Sequence, residues 1–137
     1  MRSTLYNRCL TQKALASAER VNGTANGIAV DLSVYGNDFR TVLFIVSAAT
    51  ITDGSHAITM QESVDGTNWT TVPASRRQGS LPTIVAANDD AVFEFGYIVG
   101  TQQYVRLVAT TTGATTGGIY SAVAVCSEAS TTPVARA

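Results

Sequence analysis

An all-β fold, an antiparallel sandwich with an arm at each end, is what this 137-residue sequence predicts. Three observations predict it. From Val21 onward, short runs of β-forming residues are separated by Gly, Asn, Asp, Thr and Pro at the spacing of a sandwich or a closed small barrel. Within those runs apolar residues recur at every second position, the period of a strand. Between Ile51 and Val72, ITDGSHAITMQESVDGTNWTTV, two such runs flank Asp65-Gly66, a pair that tolerates the positive φ angles of a tight hairpin turn.

Residues 1–20 read as an arm, because Ala14 to Arg20 suits one or two helical turns but carries no sustained apolar stripe. The folded body spans 21–127. In GIAVDLS, Ile28, Val30 and Leu32 point one way. Thr41 to Val46, TVLFIV, is apolar on both faces and predicts a central strand covered on both sides. Ala57 to Ser63 sets Ile58 and Met60 against Thr59 and Gln61, and Trp69 to Val72 returns antiparallel to it. Pro73 to Pro82 is bounded by prolines and holds Gly79, so it predicts an outward-reaching loop that carries Arg76-Arg77.

Ala91 to Val99, AVFEFGYIV, places Phe93, Phe95 and Tyr97 together on a face that fills the core. Gln103 to Ala109 sets Val105, Leu107 and Ala109 against Tyr104, Arg106 and Val108. A Thr and Gly loop over Thr110 to Gly118 then leads into a last strand, Ile119 to Cys126. Residues 128–137 have no periodicity and read as a tail.

Hydrophobic residues make up 45% of the chain and charged ones only 14%, below the roughly 25% typical of soluble domains, so Thr, Ser, Asn and Gly must carry the surface. A net charge of -1 argues against a nucleic-acid partner, which needs clustered Lys and Arg. Lys13 is the only lysine. The preference for Arg hints at protein contacts, where its planar fork makes paired hydrogen bonds. Cys9 and Cys126 lack metal-site spacing and read as two unpaired thiols, a bridge between them requiring both termini to meet at one end of the domain. Val42 to Val46, the longest apolar run, is far too short to cross a bilayer, and the first twenty residues lack the apolar stretch of an export signal.

No constellation for catalysis emerges. His56, the single histidine, reads as a surface or strand-edge residue without a partner base. Asp89-Asp90 is turn chemistry, and Asp53, Asp65 and Asp89 lack the ligand spacing of a calcium loop. Trp69 and the five tyrosines suit core packing more simply than a sugar-stacking platform. TTGATTGG has neither the order nor the following helix of a phosphate cradle. The expectation is a protein without enzymatic activity, cofactor, metal or small-molecule substrate.

Gln61, Glu62, Ser63, Asp65, Gly66 and Trp69 form a Q-E-S-x-D-G-x-x-W hairpin. Tyr104, Arg106 and Leu107 follow in a Y-x-R-L strand, then a Gly-rich turn enters a final apolar strand. Over residues 21–127 this pattern resembles small virion proteins of tailed bacteriophages, and within them the jelly-roll cement or decoration proteins of HK97-type capsids. The resemblance implies a jelly-roll-like sandwich, assembled in the bacterial host cytoplasm, that binds the outside of the shell through the major capsid protein, commonly as a dimer or higher homo-oligomer. Other head–tail or tail structural proteins, and a glycan-binding module of a virion fibre, remain alternatives. The arm, the loop and the tail are the expected partner contacts, through Arg2, Leu5, Tyr6, Arg8, Arg76, Arg77, Leu81, Val134 and Arg136.

Overall fold

A computed structural model describes residues 4–137 as two antiparallel sheets packed face to face. One helical turn, α1 (Leu5–Arg8), precedes eleven strands. These are β1 (Leu10–Arg20), β2 (Gly23–Asn26), β3 (Val30–Asp31), β4 (Thr41–Ile51), β5 (Ser55–Ser63), β6 (Thr70–Thr71), β7 (Arg77–Gln78), β8 (Thr83–Ile84), β9 (Val92–Ile98), β10 (Tyr104–Thr112) and β11 (Gly118–Ser127). The first sheet runs β1-β11-β4-β9-β7 and the second β2-β10-β5-β6, with β3 also on β10 and β8 also on β5. The chain passes back and forth between the sheets, β1 and β4 being separated by β2 and β3 of the second, and this order is that of a jelly roll.

Alternation explains the core. Val42, Phe44 and Val46 of β4, Phe95 and Tyr97 of β9, and Tyr120, Ala122 and Ala124 of β11 face Ile58 and Met60 of β5 and Val105, Leu107 and Ala109 of β10, all of them buried. Phe44 and Phe95 are opposite in the β4–β9 register and stack with ring centroids 5.7 Å apart. The hairpin is also as its sequence predicts, with Gln61 opposite Thr71 and Glu62 opposite Thr70. Its turn is built on Asp65, whose carboxylate accepts from the backbone N–H groups of Thr67 (2.8 Å) and Asn68 (2.9 Å).

The expected N-terminal arm is, from Leu10, an 11-residue strand rather than a loose or helical segment. Its alternation is hidden by irregularities between Lys13 and Leu15 and between Leu15 and Ala18, which bury Ala14 and Leu15 side by side. Arg20 fills the opening they leave. Its guanidinium donates to the carbonyls of Tyr120 (2.6 Å), Ala16 (2.6 Å) and Ala18 (3.1 Å) and lies 4.6 Å from the Tyr120 ring centroid.

The segment after β2 closes one side of the sandwich. Gly27 N–H donates to the Leu107 carbonyl at 2.6 Å and Ile28 N–H to the Ala14 carbonyl at 2.9 Å, bridging the two sheets. Only glycine permits this approach, since a Cβ on residue 27 would stand 2.5 Å from the Leu107 oxygen and 2.6 Å from that of Ala14. The bridge turns Ile28 out to solvent while Val30 and Leu32 remain inside, which corrects the single face expected for the three.

Further expectations change for identifiable reasons. TVLFIV is a central strand between β11 and β9, but only Val42, Phe44 and Val46 are covered, while Leu43 is exposed on the outer face. Within Pro73 to Pro82, Arg77 and Gln78 pair with Tyr97 and Gly96 at the edge of the first sheet. His56 is fully buried instead of lying at the surface, because Thr111 and the Asp53 carbonyl supply polar partners. Trp69 is half-buried on the outside of the second sheet, with the Arg106 guanidinium 4.2 Å from its ring centroid, rather than in the core. The tail folds back, burying Val134.

Candidate partner-binding surface

The two chain ends meet at one pole of the sandwich and are clasped together. Val134 N–H donates to the Asn7 carbonyl at 2.8 Å. Buried Asn37 holds Ala135 from both sides, its amide donating to the Ala135 carbonyl (2.8 Å) and its oxygen accepting from the Ala135 N–H (3.0 Å). Arg136 donates to the carbonyls of Tyr6 and Cys9, and its guanidinium stands 3.8 Å from the Tyr6 ring centroid. With its backbone pinned in this way, α1 presents Leu5 and Tyr6, 78% and 70% exposed, to solvent.

Leu5 borders an open groove of about 410 Å³ whose floor is the outer face of the first sheet, through Leu43, Gly96, Val125 and Gln78. Strand register lays this face out in rows: Thr11, Val125, Leu43 and Gly96, then Lys13, Val123, Ile45 and Glu94. Leu43, Val123, Val92 and Ile98 are all exposed there. The outer face of the second sheet is different, carrying Thr59, Gln61, Arg106 and Thr110, with Arg106 donating to Gln61 at 2.7 and 3.0 Å. The second face is therefore hydrogen-bonded, and the first has an apolar centre on β11 and β4 flanked by Lys13 and Glu94.

Glu62 and His56 find partners inside the sandwich, while Nε of Arg76 and of Arg77 is buried without one among the described residues. Glu62, of β5, accepts from the Tyr97 hydroxyl of β9 at 2.8 Å and from Arg76. Burial, and then the Glu62 carboxylate, push the Tyr97 hydroxyl pKa up. His56 is held by the Thr111 hydroxyl at Nδ1 (2.9 Å) and the Asp53 carbonyl at Nε2 (3.0 Å), with the Tyr120 ring edge-on. A carbonyl can only accept, so Nε2 carries a proton and donates it to Asp53. The Asp53 carboxylate is held below the usual carboxylate range by the backbone N–H groups of Gly117 and Thr116, and that of Asp65 by those of Asn68 and Thr67.

Both cysteines are free thiols. Leu10 is the cross-strand partner of Cys126, so Cys9 precedes that pair and its side chain turns to the opposite face, 3.7 Å from the Ser127 hydroxyl. Burial pushes the Cys126 thiol up to about 12, which keeps it protonated and unreactive at neutral pH. Among the described residues no cluster of His, Cys, Asp and Glu has the geometry to hold a metal, and no helix is long and apolar enough to cross a membrane.

Of the expected contact residues, Leu5, Tyr6, Arg8, Val134 and Arg136 converge at the clasp, although Val134 is packed inward and Arg136 is spent on holding Tyr6. Arg2 lies outside the described residues. Arg76 does not reach outward as expected but pairs with Glu62; Arg77 is half-buried beside β9, and Leu81 packs against the core. The apolar rows on β4 and β11 were absent from that set. Their signal was present in TVLFIV and SAVAV, where the residues of the non-core parity are apolar too.

No family model matches the chain, nor does any curated protein sequence. In fold it is similar to the SPBc2 prophage-derived protein YomS, whose crystal structure superposes with a TM-score of 0.56. The alignment covers 88% of this chain and 95% of that one at 10% sequence identity. At that identity the likeness is one of architecture.

Proposed function

We propose that the protein is a non-enzymatic virion structural protein, a cement or decoration protein that binds the outside of a phage capsid and stabilises the shell against internal DNA pressure. The observation that carries this reading is the terminal clasp. It holds two large side chains, Leu5 and Tyr6, on a hydrogen-bonded backbone with most of their surface open to solvent, although Tyr6 also stacks on Arg136. The jelly-roll sandwich, the likeness in fold to a prophage-derived protein and the hairpin and strand motifs support the same reading. A cement protein acts through shallow contacts repeated over many copies, and each copy bound to the major capsid protein adds to the work of opening the shell.

Leu5 and Tyr6 touch the capsid protein, with Arg8 beside them on the same turn. Deleting residues 1–20 would remove β1 and the fold with it, so the informative variant is the double substitution Leu5→Asp and Tyr6→Asp in the full chain. Heads of the phage that carries the gene should co-sediment with the native protein and not with the variant. Undiminished binding by the variant rejects the clasp as the contact, and absence of the native protein from purified heads rejects the cement reading.

A further inference from the structure

Building on the proposed capsid binding, we infer that the outer edge of β9, from Val92 to Phe95, takes up an extended segment of the major capsid protein as an added strand. Strand register fixes which groups are open. Val99 N–H donates to the Arg40 carbonyl and Ala48 N–H to the Ala91 carbonyl, both at 2.9 Å, so the odd-numbered residues of β9 bond to β4. The even-numbered residues aim their N–H and C=O groups the other way. β7 meets them only at Gly96, opposite Gln78, before the chain crosses to the second sheet at Pro82, whose carbonyl accepts from Ile58 N–H at 3.0 Å. The outward groups of Val92 and Glu94 have no main-chain partner among the described residues.

Comparable edges of the molecule are closed. Along β5, β6 pairs with Glu62 and Gln61, Val72 N–H donates to the Met60 carbonyl at 3.1 Å, and β8 pairs with Ala57 and His56. On β1 the carbonyls of Ala14, Ala16 and Ala18 are taken by Ile28 N–H and the Arg20 guanidinium. Over Val92 to Phe95 the charge of Glu94 is the one guard, and a charged guard excludes strands selectively.

The open groups define the occupant. Donors and acceptors alternating along an edge, at about 3.3 Å per residue, are matched by the main chain of an extended polypeptide. Charge then selects its side chains. Asp90 and Glu94 are exposed toward the two ends of the open stretch, and neither forms an ion pair among the described residues, so the added strand carries Lys or Arg on the face it shares with Glu94. On its other face an apolar side chain lies beside Phe93, which is only partly buried against the core. The groove bordered by Leu5 ends on Gln78 and Gly96, two residues along β9 from Glu94, so the edge continues the surface that starts at the clasp. A strand this short binds weakly alone and gains from being joined to the clasp contact.

Amide hydrogen exchange of the full chain, free and bound to heads of the phage that carries the gene, tests it. Peptides over residues 91–95 should hold two fast amides, those of Val92 and Glu94, in the free protein at every concentration. Both should slow by about tenfold or more on heads. Glu94→Pro removes one outward N–H at an edge position, where proline is tolerated, and Glu94→Lys reverses the charge; each should weaken binding to heads several-fold. The exchange readout uses the native chain and so stands even where the proline variant unfolds. Amides already slow in the free protein, amides that slow with rising concentration without heads, which assigns the edge to a second copy, or undiminished binding by both variants would overturn the proposal. Heads that bind the native protein and leave both amides fast overturn the added strand alone, whereas heads that do not bind it overturn the cement reading as well.

Discussion

The Tyr97 hydroxyl of the first sheet donates to the Glu62 carboxylate of the second at 2.8 Å, so a buried anion ties the two layers together from within. Arg76 neutralises that anion from the loop that follows β6. Arg76→Ala strands the carboxylate in the core and should cost about 3 kcal/mol, whereas Tyr97→Phe removes one neutral donor and should cost about 1 kcal/mol. Urea denaturation of the two variants checks the ranking. Equal losses would show that Arg76 is not what balances Glu62.

His56 closes the other end of the sandwich through two hydrogen bonds and an edge-on contact with Tyr120. His56→Ala leaves a cavity and unpaired partners at Thr111 and the Asp53 carbonyl, and should destabilise by about 3 kcal/mol. Thermal unfolding gives the loss. A change near zero would mean that the ring is not packed as described.

Acid should weaken the fold through Asp53 and Asp65. Their carboxylates are held below the ordinary value of 3.8 by backbone N–H groups in the folded protein. As pH falls below that value the unfolded chain takes up protons first, so the stability these groups contribute is intact above about pH 4 and is lost progressively at lower pH. Asp53→Asn and Asp65→Asn should each flatten the acid limb of the melting temperature against pH. An unchanged limb in both would assign acid lability to other groups.

The clasp makes a separate statement about the chain ends. Truncation after Pro133 removes Val134, Ala135 and Arg136, and with them the bonds to Asn7, Asn37, Tyr6 and Cys9. Amide hydrogen exchange should accelerate over residues 5–9 while the strands of the second sheet keep their protection. Exchange unaltered at α1 would show that the tail does not hold it.

Legibility in the sequence followed the regularity of the alternation. β5, β9 and β10 kept a period of two, and their inward residues are those the pattern names, whereas TVLFIV, apolar at both parities, did not show that Val42, Phe44 and Val46 alone are fully buried. β1 lost it, because Ala14 and Leu15 are both buried at an irregularity whose opening is filled by Arg20, and nothing local announces that. His56 and Arg76 were misplaced for a related reason. The partners that let them enter the interior, Thr111 and Glu62, are distant in the chain and become neighbours only when the sheets close. The clasp residues were named as expected contacts of the arm and the tail, but which were spent on holding the fold and which faced outward was settled by packing.

β11 lies between β1 and β4 inside the first sheet, yet it follows the other ten described strands in the chain. Until residue 127 has emerged, β1 and β4 have no neighbour to share and the sheet has a gap at its centre. Completion of the first sheet therefore waits for β11 and depends on long-range pairings, of the kind that makes folding slow. Chains that stop short of Gly118 should be soft targets for proteases.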